Sequence, residues 1–236
     1  NVTLASEAVI FPERASVALS QFPGRDNLLE SIQMFSNQGE ATNWTATPSE
    51  PWLTLTKDGS TLTVKANPIG LTRNATHYAD IDIVGIENGQ ELNQKVRVSL
   101  WLGENDPPPI ASISQNYHHI QSDPLRPHIY LHRSSNQIDI YHIHTRTAAG
   151  TISVNASALL WMHVSGDGSY LYVRTRQSDG TYPIARIDLA DPTNQNLLPV
   201  PGSRFALAQP SGRDVIISDG GDAYDPATGE RIGTQL

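Results

Sequence analysis

Ser165-Gly166-Asp167-Gly168-Ser169-Tyr170-Leu171-Tyr172-Val173 is the stretch on which the fold of this 236-residue chain turns. A tight turn of small and acidic residues runs straight into an apolar, aromatic strand. Gly and Asp suit the unusual backbone angles of turns, whereas aromatic and β-branched residues suit a pleated surface. The unit recurs. Asp123-Pro124-Leu125-Arg126-Pro127-His128-Ile129-Tyr130-Leu131 stands 42 residues earlier, and Gln209-Pro210-Ser211-Gly212-Arg213-Asp214-Val215-Ile216-Ile217 stands 44 residues later. Each copy is preceded by a candidate inner strand, at residues 117–121, 159–164 and 204–208. Each is followed by another strand, at 137–143, 182–189 and 222–224. A turn then closes the unit, as in Thr147-Ala148-Ala149-Gly150 and Asp225-Pro226-Ala227-Thr228-Gly229-Glu230.

A period of 42–44 residues with four strands per unit predicts β-propeller blades over residues 110–236. The pattern Ser-x-Asp-Gly-x-Tyr-Leu-Tyr-Val at 165–173, with Asp-x-x-Thr-Gly at 225–229, resembles the bacterial surface-layer and lactonase-type propeller families. That resemblance implies an architecture rather than one activity. Three blades fall short of the roughly four to eight that close a ring. An open arc leaves strand edges that recruit partners. Two explanations stand: the natural protein continues with further blades beyond Leu236, or two chains pair their arcs edge to edge as a homo-oligomer.

Upstream, Gly103-Glu104-Asn105-Asp106-Pro107-Pro108-Pro109 reads as a stiff linker, because consecutive prolines favour extended polyproline geometry. Composition changes across it. The three lysines (Lys57, Lys65, Lys95) precede it, and seven of the eight histidines follow it. The predicted division is a sandwich over 1–104, a linker over 105–109 and a partial propeller over 110–236. The front part alternates apolar and polar residues at period two, as in Leu62-Thr63-Val64, Ile81-Asp82-Ile83 and Val96-Arg97-Val98-Ser99-Leu100. That is the pattern of half-buried antiparallel strands, and about seven of them fit a β-sandwich. The whole chain reads as all-β.

Asn43-Trp44-Thr45, Trp52-Leu53-Thr54-Leu55, Asp58-Gly59-Ser60, Val64-Lys65-Ala66-Asn67 and the Arg73 loop together resemble the BACON domain, an immunoglobulin-like sandwich of bacterial surface proteins. The likeness covers about residues 28–102. The last strand departs from it, ending Val96-Arg97-Val98-Ser99-Leu100-Trp101 where members of the family often carry Val-Thr-Val-x-Gln. The resemblance implies binding of carbohydrate or mucin glycans and a bacterial, secreted, cell-surface or periplasmic setting. Trp44 and Trp52 sit within strand patterns and read as core. Trp101, at the end of the last strand, is the candidate for stacking on a sugar face. Asn-x-Ser/Thr triplets at Asn1, Asn43, Asn74 and Asn155 are too short a pattern to carry weight here.

Several function classes are excluded or left unsupported. A formal charge of −8 argues against a nucleic-acid surface, and no apolar run is long enough for a membrane span. Without cysteine there is no disulfide, thiol nucleophile or thiolate metal site. His142 and His144, two apart in a predicted strand, share a face and could ligate a divalent ion, given two further ligands. Asp219 and Asp222, in Asp219-Gly220-Gly221-Asp222, could offer oxygens to Ca²⁺, although hairpin turn chemistry explains the loop more simply. His119 and His163 fall in inner strands and are candidate ligand-binding residues. No cofactor motif, nucleophile elbow or phosphate loop is present. The sequence therefore reads as a non-enzymatic recognition module for a glycan or another surface protein. The rival is a propeller hydrolase or lactonase whose active site needs further blades.

Overall fold

The computed structural model describes residues 9–37, 39–41, 43–87, 90–109, 112–113, 115–133 and 135–233. Asn1 of the first glycosylation triplet, Gln38 of the turn before Trp44, and Leu236 lie outside them. The protein is all-β. Among the described residues the helical content is one 3-10 turn, Pro210–Gly212, and no helix is long and apolar enough to cross a membrane. The chain forms two compact units, Asn1–Asn105 and Asp106–Leu236, so the division falls inside the Pro-rich stretch.

Unit 1 contains β1 (Ile10–Pro12), β2 (Ser16–Phe22), β3 (Arg25–Asn27), β4 (Leu29–Ser36), β5 (Gly39–Glu40), β6 (Trp44–Pro48), β7 (Leu53–Asp58), β8 (Thr61–Ala66), β9 (Ala75–Glu87) and β10 (Gln90–Leu102). One sheet runs β1-β4-β8-β7 with β5 also on β4; the other runs β3-β2-β10-β9-β6. Strands β2 and β10 pair in parallel, and the other ladders among the described residues of this unit are antiparallel. The two sheets share one apolar core, with Ile32, Leu62 and Val64 from the first and Ile81, Ile83, Val98 and Leu100 from the second. Period-two alternation explains the division of side chains along β9. Ile81 and Ile83 are fully buried, while Asp80 and Asp82 turn outward to Lys95, at 2.9 and 3.6 Å. Trp44 and Trp52 lie in the core as their strand patterns indicate. Trp101 is buried as well, at 7% exposure, so its ring is not presented to a sugar as the sequence reading expected. The strand-end position leaves it packed against the chain at Gly103, where an added Cβ would come 3.3 Å from its Nε1.

Unit 2 is three successive four-stranded antiparallel meanders. The first holds β11 (His119–Ser122), β12 (His128–His132), β13 (Gln137–His142) and β14 (Ala148–Ser153). The second holds β15 (Ala158–Val164), β16 (Tyr170–Arg176), β17 (Ile184–Asp188) and β18 (Gln195–Leu198). The third holds β19 (Phe205–Ala208), β20 (Val215–Ser218), β21 (Ala223–Tyr224) and β22 (Arg231–Gly233). The first strands are neighbours, β11 beside β15 and β15 beside β19. Tyr130, Ile138, Met162, Leu171 and Val173 pack between the first two sheets. Tyr172, Ile184, Phe205, Ile216 and Tyr224 pack between the second and third. Strand β16 serves both layers by alternation, with Leu171 and Val173 on one face and Tyr172 on the other.

The repeat turns are held by aspartates acting on their own backbone, as such turns require. Asp123 Oδ1 accepts from the amides of Leu125 and Arg126 at 2.8 and 2.9 Å. Asp167 Oδ1 accepts from the Ser165 hydroxyl and the Ser169 amide at 2.6 and 2.9 Å. Asp225 Oδ1 accepts from Ala227 and Thr228, with Gly229 at φ +75° completing the turn. Two expectations change. Residues 148–150 begin β14 instead of closing a turn: Tyr141 pairs with Ala148 and Ile140 with Gly150, which leaves Ala149 as a bulge. Strand β13 stops at His142, so His144 lies in a turn and does not extend the strand face.

Candidate functional site

The register of unit 2 gathers particular residues at one end of its sheets. His119 pairs with His132, and Phe205 pairs with Ser218, so first strands begin where second strands finish. In the middle sheet Leu159 pairs with Thr175, but the next pair is Met162–Val173. Leu160 and Trp161 therefore face Arg174 alone. Such a bulge re-aims the side chains it carries. Trp161, half-buried, meets the His119 ring edge-on at 5.2 Å between centroids, and the exposed Arg204 guanidinium sits 4.9 Å from its centroid. His163 in turn meets the Phe205 ring at 5.0 Å.

Two of these imidazoles are tied to backbone carbonyls of the neighbouring sheet. His132 Nε2 donates to the Leu160 carbonyl and His163 Nε2 to the Phe205 carbonyl, both at 3.1 Å. A carbonyl only accepts, so each Nε2 carries the proton. Burial pushes His132 down to about 4, helped by repulsion from His119 and His118. Burial also lowers His163, and burial with repulsion from His163 lowers His119. His119 and His163 are thus brought together, with ring centroids 6.4 Å apart, as two members of one cluster. The Nδ1 of His119 is buried without a hydrogen-bond partner among the described residues.

The metal candidates separate. His142 and His144 do approach, with centroids 5.9 Å apart and His128 5.7 Å from His142. However, His142 Nδ1 accepts the amides of His144 and Thr145, both at 3.2 Å, and so caps the turn after β13. Burial, with repulsion from His128 and His144, takes His142 down to about 4. Asp219 accepts from the Ser203 amide and hydroxyl and the Arg204 amide at 3.0, 2.8 and 3.3 Å, bonds that hold its carboxyl below the usual range. Asp222 pairs with Arg231 at 2.6 Å. The two carboxylates of that loop serve different partners. Among the described residues no three His, Asp or Glu side chains converge as a metal set.

Three residues that sequence reading passed over, Trp161, Arg174 and Arg204, shape this end of the unit. Arg174 is fully buried and donates to the carbonyls of Tyr182 and Val200, each at 2.6 Å, and of Pro201 at 3.3 Å. A cavity of about 660 Å³ is lined by Tyr182, Pro183, Pro199, Val200 and Pro201 among others, so it includes the three residues whose carbonyls Arg174 engages. The one sequence signal for Arg174 was its place on the Tyr172 face of β16, where a charge interrupts an apolar run.

No protein-family model and no curated protein matches the sequence. The crystal structure of a DUF4784 family protein from Bacteroides caccae is similar over 96% of this chain and 84% of that one, at 7% identity and a TM-score of 0.22. A likeness at that level carries no argument about fold or function.

Proposed function

We propose that this protein is a non-enzymatic recognition module, secreted or displayed at a cell surface, that binds carbohydrate. In this reading unit 1 is an immunoglobulin-type sandwich of the BACON kind, and unit 2 is a three-blade arc of a β-propeller. The arc is supported by three consecutive meanders with adjacent first strands and an internal period of 42–44 residues. The observation that carries the functional reading is the pairing of half-buried Trp161, at the bulge of β15, with exposed Arg204, just ahead of β19. An indole rim and a guanidinium together offer an apolar edge for sugar C–H groups and donors for hydroxyls or a carboxylate. The neighbouring imidazoles favour binding over hydrolysis, because His132 and His163 spend their N–H groups on inter-sheet carbonyls.

Glycan arrays and titration calorimetry of the full chain against mucin and plant polysaccharides test this, with Trp161→Ala and Arg204→Ala alongside. The expected result is binding that falls at least tenfold in both variants. Silence across every glycan overturns the carbohydrate reading and leaves a protein ligand.

A further inference from the structure

Unit 1 carries a cavity of its own, about 670 Å³, lined by Gln21, Phe22, Pro23, Asp26, Arg73 and Glu104. Three chain segments meet there, and backbone bonds fix them to one another. Gln21 and Asp26 are opposed across the β2–β3 hairpin. The Gly103 amide donates to the Gln21 carbonyl at 2.8 Å, and the Asn74 amide donates to the Leu102 carbonyl at 2.6 Å. Arg73 Nη1 donates to the Gly103 carbonyl at 3.2 Å. Asn74 and Glu104 exchange bonds in both directions, amide to carboxylate at 2.9 Å and backbone amide to side-chain carbonyl at 3.1 Å. Gly103 lets the segments close up, since a Cβ there would stand 3.2 Å from Phe22 Cβ. The walls are therefore set before any ligand arrives, which removes ordering cost from binding.

The chemistry of the lining narrows the ligand. Two carboxylates and one guanidinium border the same space, yet among the described residues neither Asp26 nor Arg73 is in an ion pair; Asp26 takes a single long bond, 3.4 Å, from the Gln21 amide. The Oε1 of Gln21 is buried and has no donor among the described residues. A bare anion would face two carboxylates, and a metal ion would find too few ligands beside a fixed cation. A polyol fits both signs, because each hydroxyl donates to a carboxylate and accepts from a guanidinium. Phe22 and Pro23 add apolar wall for the C–H face of a ring. The volume falls within the range of small-molecule sites.

We propose that this cavity binds a single neutral hexopyranose unit of a glycan, resting on the carbohydrate reading above and extending it to a second site in the other unit. The test is ¹⁵N-resolved NMR titration of the full chain with methyl α-D-mannopyranoside, methyl β-D-galactopyranoside and methyl β-D-glucopyranoside, repeated on Arg73→Met and Glu104→Gln. The expected result is saturable shifts at the amides of Phe22, Asp26, Asn74 and Glu104 for at least one glycoside, with affinity reduced tenfold or more in Arg73→Met. Glu104→Gln keeps the shape of the wall and guards against a folding artefact; weakened binding is expected there too. Shifts confined to residues around Trp161 and Arg204 overturn this site while leaving glycan recognition standing. If no amide shifts with any of the three while the arrays still show glycan binding, this site is overturned alone. If the arrays are silent too, both readings fall.

Discussion

His163 donates its Nε2 proton to the carbonyl of Phe205, 3.1 Å away across the gap between the second and third sheets of unit 2. His132 makes the same bond to Leu160 between the first and second sheets. A histidine of one first or second strand thus pins the first strand of the next sheet, twice in succession.

Acid should loosen these pins. His132 is depressed from 6.5 to about 4 because burial disfavours its charged form, and His163 is lowered for the same reason. Unfolding lets the imidazole return to its ordinary value, so the unfolded chain binds more protons between those limits. The contribution of His132 is therefore complete above about pH 6.5, falls as the pH drops toward 4, and levels below that, and His163 acts in the same direction. For His132 alone the full loss is on the order of 3 kcal/mol. Urea unfolding of the full chain at pH 7.5 and 5.0, following unit 2, should show that unit weaker at the lower pH. His132→Gln keeps a donor but cannot ionise, and should flatten the dependence. Equal stability at both pH values would contradict the neutral-imidazole account.

The repeat was legible because turn chemistry and alternation are local, and Tyr170-Leu171-Tyr172-Val173 shows both in nine residues with its turn. The core placement of Trp44 and Trp52 was legible for the same reason. Trp101 was not, because a strand-end position does not say which loop folds over it. His144 was misplaced onto a strand face because His142 caps the turn that ends the strand, an act visible only through its Nδ1 bonds. Trp161 escaped notice because its direction depends on a bulge, a register fact involving Val173 and Thr175. Asp26, Arg73 and Glu104 are far apart in sequence and meet only through sheet topology.

Arg174 should prove to be a structural residue despite its charge. Its side chain is fully excluded from water and answers three carbonyls, with burial lowering its pKa and Asp219 opposing that shift. Arg174→Met keeps most of the stem but strands the carbonyls of Tyr182, Val200 and Pro201. Leaving buried acceptors unmet costs about 1–3 kcal/mol for such a group, so unit 2 should lose on the order of 3 kcal/mol in denaturant. Arg174→Lys should recover part of this, since one ammonium cannot reproduce the planar fork. A Met variant as stable as the parent would show that those carbonyls find water.

Gly85 should be intolerant of any side chain. It lies in β9 opposite Trp44, and a Cβ there would collide with Ile10 Cδ1 and approach Ile10 Cβ to 3.3 Å. Ile10 is itself 2% exposed and cannot swing out without opening the core. Gly85→Ala should therefore destabilise unit 1 by about 1–3 kcal/mol, the usual range for overpacking. Ile10→Ala alone removes the obstacle but leaves a cavity. The double variant Ile10→Ala with Gly85→Ala should then be more stable than the sum of the two singles, because one methyl fills part of the space the other vacates. Thermal unfolding of the four proteins measures this directly.

Asp123 should couple the first turn to two neighbours at once. Its carboxylate is wholly buried and accepts the Tyr130 hydroxyl at 2.7 Å and Arg126 Nη1 at 3.2 Å, besides its two backbone amides. Arg126 Nη1 also reaches the Gly168 carbonyl at 2.5 Å, in the turn of the next repeat. Removing one partner of a buried charged pair leaves the other uncompensated, so Asp123→Ala should cost about 3–5 kcal/mol. Tyr130→Phe deletes one bond and should cost about 1–2 kcal/mol. In the double variant the hydroxyl is no longer orphaned, so the combined loss should fall short of the sum by about 1 kcal/mol or more. Asp123→Asn discriminates charge from geometry, since its carbonyl can still accept the Leu125 and Arg126 amides while Arg126 loses its counter-ion. A strictly additive cycle would mean that Tyr130 and Asp123 stabilise the unit independently and that the short hydroxyl–carboxylate bond contributes nothing of its own.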